Sequence, residues 1–317
     1  MTRVSFASLP LLVVLLTGSP SVLATEGSVG RPITGQIVYS NAGIIPPEPG
    51  WVMSMTSIYY DGELSSKKAA PVRGEVGAGL KMKVSYTMTN ITRIWDTGKG
   101  PWNFASAVGL PLQYTDAEAD FTGPRGNSVG ETDYATQFAD ALITPIAAGY
   151  HFSTTDHIAL SLPIYVPTGA YDKDRLANAG QNTYTFMPTL AYTHLLGNGG
   201  ELSLLGAFEF YTKNDATDYQ NGSIVRLDGL WTYGLGNGWA AGVVGGVIKQ
   251  MTDDDGPTAD QLNGFRGHSA GLGPYLGWSG KFADAQASVN ARWVPEFDSV
   301  NRPEGDGISV NLTLAFF

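Results

Sequence analysis

The chain of 317 residues has a net charge of −10, charged side chains at only 15% of positions, 40 glycines and no cysteine. The acidic balance excludes the basic face that nucleic-acid binding needs, and the missing thiols exclude disulfides, thiolate zinc sites and cysteine nucleophiles. An average soluble protein has roughly 25% charged residues, so this composition points to a surface that does not meet water everywhere.

Residues 1–24 read as an export signal: Arg3 gives a positive start, "LPLLVVLLTG" an apolar core, and Val22 and Ala24 the small residues before cleavage. The mature chain is expected to begin at Thr25. The apolar run of about 10 residues is too short for the roughly 20 that cross a bilayer as a helix. Residues 25–50 are rich in Gly and Pro and end in Pro46, Pro47 and Pro49, which forbid regular pairing. They form an irregular lead-in, which either enters a barrel as a constriction or stays in the periplasm as a tether.

After Trp51 the chain alternates. In "GEVGAGLKMKVSYTM", residues 74–88, Val76, Ala78, Leu80, Met82, Val84, Tyr86 and Met88 share one phase, and Glu75, Lys81 and Lys83 share the other. Side chains of a strand point to opposite faces with a period of two. The run is far longer than the about 5–6 residues usual in soluble sheets. "HIALSLPIYV" places Ile158, Leu160, Leu162, Ile164 and Val166 on one phase. "ELSLLGAFEF" sets Leu202, Leu204, Phe208 and Phe210 against Ser203 and Glu209. "AQASVNARWVPEF" sets Val289, Ala291, Trp293 and Phe297 against Asn290, Arg292 and Glu296. "ISVNLTLAFF" sets Ile308, Val310, Leu312, Leu314 and Phe316 against Ser309, Asn311 and Thr313.

Twelve strands are predicted, near 51–60, 73–90, 104–117, 138–150, 157–168, 183–195, 201–212, 223–234, 239–250, 267–279, 285–297 and 307–317. Tight connections such as "GNGG" (197–200) and "GNG" (236–238) alternate with long polar ones at 61–72, 119–136, 169–182, 213–222, 251–266 and 298–306. Outer-membrane barrels sort their connections this way, with short periplasmic turns and longer extracellular loops. Lipid cannot hydrogen-bond to a backbone, so a spanning sheet must close on itself. The expected fold is therefore all-β, with residues 51–317 forming a closed antiparallel transmembrane barrel of about twelve strands. Its apolar phases face hydrocarbon, and Tyr and Trp near strand ends form interfacial girdles.

The charged residues on the opposite phases are the candidate substrate pathway: Arg73, Glu75, Lys81, Lys83, Glu209, Arg226, Asp228, Arg292 and Glu296. Either they line a conducting lumen, or they pair with one another and fill a closed one, as side chains do in small barrels. No cofactor is expected. "TDDDGPTAD" (252–260) lacks the alternate spacing and terminal Glu of a helix–loop–helix calcium site and reads as a solvated outer loop. Loose divalent bridging to lipopolysaccharide is the alternative there. A lipid hydrolase needs a Ser and a His in contact. His268 and Ser269 are adjacent in a strand and point to opposite faces, while His151, His157 and His194 have no Ser motif beside them. The expectation is not an enzyme.

Specific stretches resemble a known family: "NAGIIPPEPGW", "ITPIAAGYHFS", "YVPTGAYD", "NDATDYQNG", "LGNGWAAGVVGG", "QMTDDDGP", "AGLGPYLG" and "NRPEGDGISVNLTLAFF". Together they are similar to the outer-membrane family labelled for the meta-pathway of phenol degradation, whose members are described as transporters of aromatic compounds. The resemblance implies a β-barrel in the outer membrane of a Gram-negative bacterium and uptake of small, phenol-like solutes. It brings no catalytic or ligand motif. Its expected partners are outer-membrane lipid, lipopolysaccharide and a small solute, together with the assembly machinery that reads a terminal aromatic. Here the chain ends in Phe317, whereas the apolar phase belongs to Phe316.

Overall fold

A computed structural model describes residues 33–317 apart from 73–74, 99 and 123–127. The expected export signal and Arg73 lie outside the described residues. The first strands are β1 (Gly50–Val72), β2 (Glu75–Ile94), β3 (Trp102–Thr122), β4 (Ser128–Phe138) and β5 (Ala141–His151). Next come β6 (Asp156–Ser161), β7 (Ile164–Val166), β8 (Thr185–Phe186), β9 (Thr189–Leu195) and β10 (Glu201–Tyr211). The last are β11 (Ile224–Gly236), β12 (Trp239–Gln250), β13 (His268–Phe282), β14 (Ala285–Val300) and β15 (Glu304–Phe316). One short helix, α1 (Pro257–Gln261), sits between β12 and β13. All pairs are antiparallel, and β15 pairs with β1 from Trp51↔Phe316 to Glu63↔Glu304, which closes the sheet. Three staves are each split in two: β4 with β5, β6 with β7, and β8 with β9. The closed wall thus has twelve staves.

Prolines cause two of the splits. Pro163 and Pro188 have no N–H for the ladder, so each interrupts a strand that the alternation alone reads as continuous. Their carbonyls keep neighbouring strands joined, through Met187 N to Pro163 O at 2.9 Å and Phe208 N to Pro188 O at 3.0 Å. On the next stave the chain breaks at Ala139–Asp140, and Ala139 N donates to Pro111 O at 3.0 Å. At the periplasmic end the turn between β11 and β12 is the tightest that the backbone permits. Gly236, Asn237 and Gly238 all have positive φ (89°, 51° and 81°), which is why this turn is written in Gly and Asn.

The lipid-facing phase holds along most of the wall. Met53, Met55, Leu160, Leu204, Phe210, Val289, Trp293 and Val310 are exposed on its outside, while Ser203, Glu209, Asn290 and Arg292 are buried within. Only hydrocarbon makes so much outward apolar area favourable. Aromatic rings mark the periplasmic edge, where Trp51 stacks under Arg93 with a guanidinium-to-ring distance of 5.2 Å and Trp102 meets Tyr150 edge-on at 4.8 Å. β15 ends with Phe316 exposed and level with Trp51.

β2 reverses the expectation drawn from its alternation. Leu80, Val84 and Met88 are buried, with Met82, Val84, Tyr86 and Met88 lining the lumen, whereas Lys81 and Lys83 are exposed on the outer face; Glu75, beyond the bulge at Gly79, is exposed at the end of the strand opposite Val72. Strand length accounts for the upper part of this reversal. β1, β2 and β3 rise beyond the apolar belt, and there water, not lipid, is outside. In that upper half Leu64, Ala70, Val72, Leu80, Ala117, Ala119 and Phe121 form an inward core capped by Leu176 and Phe265. Outward, Lys83 faces Asp61 and Asp116 across the strands, and Lys81 faces Glu63 and Glu118. The stretches 61–72 and 119–136, read as loops, are mainly strand for the same reason.

The loops fold over the extracellular mouth. Asp140 accepts Gly169 N and Gln181 N, both at 2.9 Å, and draws residues 167–184 inward. Arg175 clamps Asp133 at 2.8 Å and 3.2 Å. The acidic loop is built around Asp254, which is buried and accepts Gly222 N and Gln250 Nε2, both at 2.7 Å, and the Tyr219 hydroxyl.

Candidate functional site

Residues 33–49 run inside the barrel without regular structure. The described part of the lead-in, from residue 33 to 45, therefore lies in the lumen. Its apolar side chains Val38, Ala42 and Ile45 pack with the inward residues Leu205, Leu230, Val244, Tyr275 and Val294. An irregular segment has no ladder to satisfy its N–H and C=O groups, and a buried backbone must find partners elsewhere. The inward charges of the wall supply them.

At its start, Thr34 donates to Glu296 at 2.5 Å and lies 2.8 Å from Ser269 Oγ, while Tyr60 OH holds the other Glu296 oxygen at 2.7 Å. Arg226 and Asp228, two residues apart on β11, hold the segment by opposite groups. Arg226 Nη2 donates to Ile33 O at 3.0 Å, and Asp228 Oδ2 accepts Ile37 N at 2.9 Å. Arg292 Nη1 donates to Val38 O at 2.6 Å and to Gly35 O at 3.3 Å. Glu201 accepts Asn41 N at 3.0 Å and 3.1 Å, and Ser40 Oγ at 3.1 Å. Asn41 takes a positive φ of 60° here, which turns the chain toward the wall. Gly43 then lies flat on β6 and β9, with its N–H on Thr193 Oγ1 at 2.9 Å. Last, Ile45 O accepts from His151 Nε2 at 3.1 Å, and His151 Nδ1 is 2.6 Å from His157 Nδ1.

Behind this grip, Arg226 pairs with Glu209 at 3.1 Å with both side chains almost fully buried, at 4% and 1% exposure. Charges so placed are tolerable only when paired and hydrogen-bonded. Of the nine residues read as a pathway, five (Glu209, Arg226, Asp228, Arg292 and Glu296) meet in the lumen around residues 33–38. Glu75, Lys81 and Lys83 do not. Glu201, Thr193, His151 and Tyr60 complete the grip and were not among the candidates. Glu201 shares the inward phase of Ser203 and Glu209 in "ELSLLGAFEF", so the signal for it was present at the strand's first residue.

Beside the segment is a cavity of about 1140 Å³. Its two sides differ. Ile58, Met82, Val84 and Met88 from β1 and β2 present an apolar wall, while Asn290, Arg292, Ser309, Asn311 and Thr313 from β14 and β15 present a polar one. Asn311 Nδ2 donates to Thr56 Oγ1 at 2.7 Å, closing the polar row onto β1. Among the described residues no three His, Cys, Asp or Glu side chains are grouped to hold a metal ion. Ser269 is buried against Thr34, while His268 is half-exposed and lies 3.5 Å from Asp298, so the two do not form a nucleophile–base pair.

No curated protein matches the chain by sequence. Among solved structures, an outer membrane channel of Pseudomonas putida F1 described as COG4313 is similar at 13% identity and a TM-score of 0.70. That match covers 89% of this chain and 100% of the other. The beta domain of the Bordetella autotransporter BrkA aligns over 84% of this chain and 100% of its own, at 10% identity and a TM-score of 0.47. The first likeness shows a shared barrel fold; the second is too distant in shape to bear on this chain. A family model matches residues 65–312. The chain belongs to the family described as "Putative MetA-pathway of phenol degradation".

Proposed function

We propose that the protein is a passive outer-membrane channel for small aromatic solutes of the phenol type, reached after export through a cleaved signal peptide. The two-sided cavity carries this reading. A phenol-like molecule is apolar over its ring and polar at one end, and the cavity offers Met82, Val84 and Met88 on one side and Asn290, Asn311 and Thr313 on the other. Small-molecule sites are commonly built this way, mostly apolar with a few placed polar groups. Family membership supports the same solute class. Lipid and lipopolysaccharide surround the barrel in this proposal, and the terminal aromatics Phe316 and Phe317 address it to the assembly machinery.

A closed structural barrel is the second reading, and the luminal segment favours it, because residues 33–45 are held by side chains of six different strands. Liposome swelling separates the two. Liposomes containing the channel admit phenol-like solutes faster than protein-free ones and faster than sugars of increasing size. Equal rates with and without protein would establish the closed barrel.

A further inference from the structure

We propose that Arg292, with the Tyr275 ring beside it, is a subsite for the carboxylate of an aromatic acid, which takes the guanidinium edge left open while the Gly35 and Val38 carbonyls of the seated segment hold the other. The inference rests on the channel reading and sharpens its substrate class.

The guanidinium of Arg292 is buried, yet among the described residues no carboxylate lies within ion-pair distance of it. Nη1 is spent on the two segment carbonyls. Among the described residues Nη2 reaches only Asn290 Oδ1, at 3.5 Å, and the Nε–H has no partner. Most buried polar groups are hydrogen-bonded, so an orphaned Nε–H on a buried cation needs a reason. The Nε and Nη2 edge of a guanidinium is a planar fork that matches the two oxygens of a carboxylate. The Tyr275 ring centroid is 5.6 Å from the guanidinium carbon, a spacing at which rings and guanidinium groups attract. Arg292, Tyr275 and Asn290 all line the cavity, as do the apolar side chains of β2, which β15 and β1 separate from β14 along the wall. An aromatic carboxylate would set its charge on the fork and its ring against those apolar side chains. A full carboxylate on the Nε–Nη2 fork takes up most of the guanidinium charge, which weakens the Nη1 bonds to the Gly35 and Val38 carbonyls and loosens the segment from residue 35 to 38. Arg226 also leaves its Nε–H without a partner among the described residues, but Glu209 already neutralises it through Nη1 and Nη2 is held by Ile33 O at 3.0 Å.

The test uses the full-length protein in detergent micelles, with benzoate as the probe and phenol as its neutral counterpart. Calorimetric titration is expected to show benzoate bound at least about tenfold more tightly than phenol, since a hydrogen bond to a charged group is worth about that factor. Arg292→Gln removes the preference, and Arg292→Lys, which keeps the charge but not the fork, retains only part of it. The chain has no cysteine, so Ala42→Cys, buried in the segment, reports release by thiol labelling, which benzoate accelerates and phenol does not. Equal affinity for the two probes, benzoate binding unchanged in Arg292→Gln, or labelling indifferent to benzoate would overturn the proposal. Neither readout needs conduction. Liposomes that admit phenol while benzoate ignores Arg292 remove the subsite and leave the channel; binding at Arg292 without solute entry does the reverse.

Discussion

Gly43→Ala should release the luminal segment without unfolding the barrel. A Cβ built on Gly43 would stand 2.6 Å from Thr193 N, 2.7 Å from His157 O and 2.9 Å from the Tyr192 carbonyl carbon. All three are backbone atoms of the closed wall and cannot swing away, so the segment itself must lift. Lifting breaks the Gly43–Thr193 hydrogen bond, worth about 1 kcal/mol, and strains the Asn41–Glu201 bonds beside it, worth about 1.5–3 kcal/mol because the acceptor is charged. A shift of roughly 3 kcal/mol changes the balance between seated and released segment by about a hundredfold. Planar-bilayer recording is the assay: Gly43→Ala should raise the open fraction and leave the heat-modified gel mobility of the barrel intact. An open fraction equal to that of the wild type would mean that the segment is not what closes the lumen. Loss of heat modifiability would mean that it is part of the barrel's folding core.

Leu80→Arg should cost more than about 3 kcal/mol, because it buries a charge in the extracellular core where Leu80 is 1% exposed. Lys81→Leu, on the water-facing side, should stay within about 0.5 kcal/mol, and similar urea-unfolding free energies in lipid for the two would place Leu80 outside. Arg226→Met or Glu209→Leu alone should cost about 3–5 kcal/mol by stranding a buried charge, while the double variant recovers most of it; additive losses in the same unfolding assay would refute the pairing. Asp254 has its carboxyl pushed up to about 6, chiefly by burial. A raised carboxyl stabilises the fold below its unfolded value near 3.8, and that stability is lost as pH rises through about 6. Hydrogen exchange of the extracellular loops should therefore show protection falling over this window, and Asp254→Asn should flatten the profile. Parallel profiles for the two proteins would exclude Asp254 as the cause.

Strand number, loop sorting and the outward phase of β6, β10, β14 and β15 were legible because lipid and lumen impose opposite preferences on alternate residues. The same rule misled at β2. Alternation states that two faces differ, not which solvent each meets, and the upper halves of β1 to β3 stand above the lipid, where the rule inverts. The charges of β10, β11 and β14 were found because they fall on lumen phases inside the apolar belt. What they hold was not legible. The segment at 33–45 is gripped mostly through its backbone, so only Asn41 and Gly43 carry a local requirement, and neither resembles a motif. The breaks at Pro163 and Pro188 were visible as residues, yet alternation runs through them because the ladder resumes in register on both sides, from Ser161↔Thr189 to Ile164↔Phe186.

The way these charges are spent constrains how the lumen opens. Asp228, Glu201 and Arg292 each bond main-chain atoms of the segment, and the Arg226–Glu209 ion pair persists without it. If the segment left and nothing entered, three charges would stand unpaired in a low-dielectric cavity at several kcal/mol each. That sum approaches the whole stability of an ordinary domain, about 5–15 kcal/mol, so a dry open barrel is not an accessible state. Opening must bring in water, or a solute with groups to replace the lost main-chain partners. Release and wetting are then one step. In the proposed channel the lumen switches between a filled and a hydrated state, and the charges that grip the segment when closed become the polar lining when open.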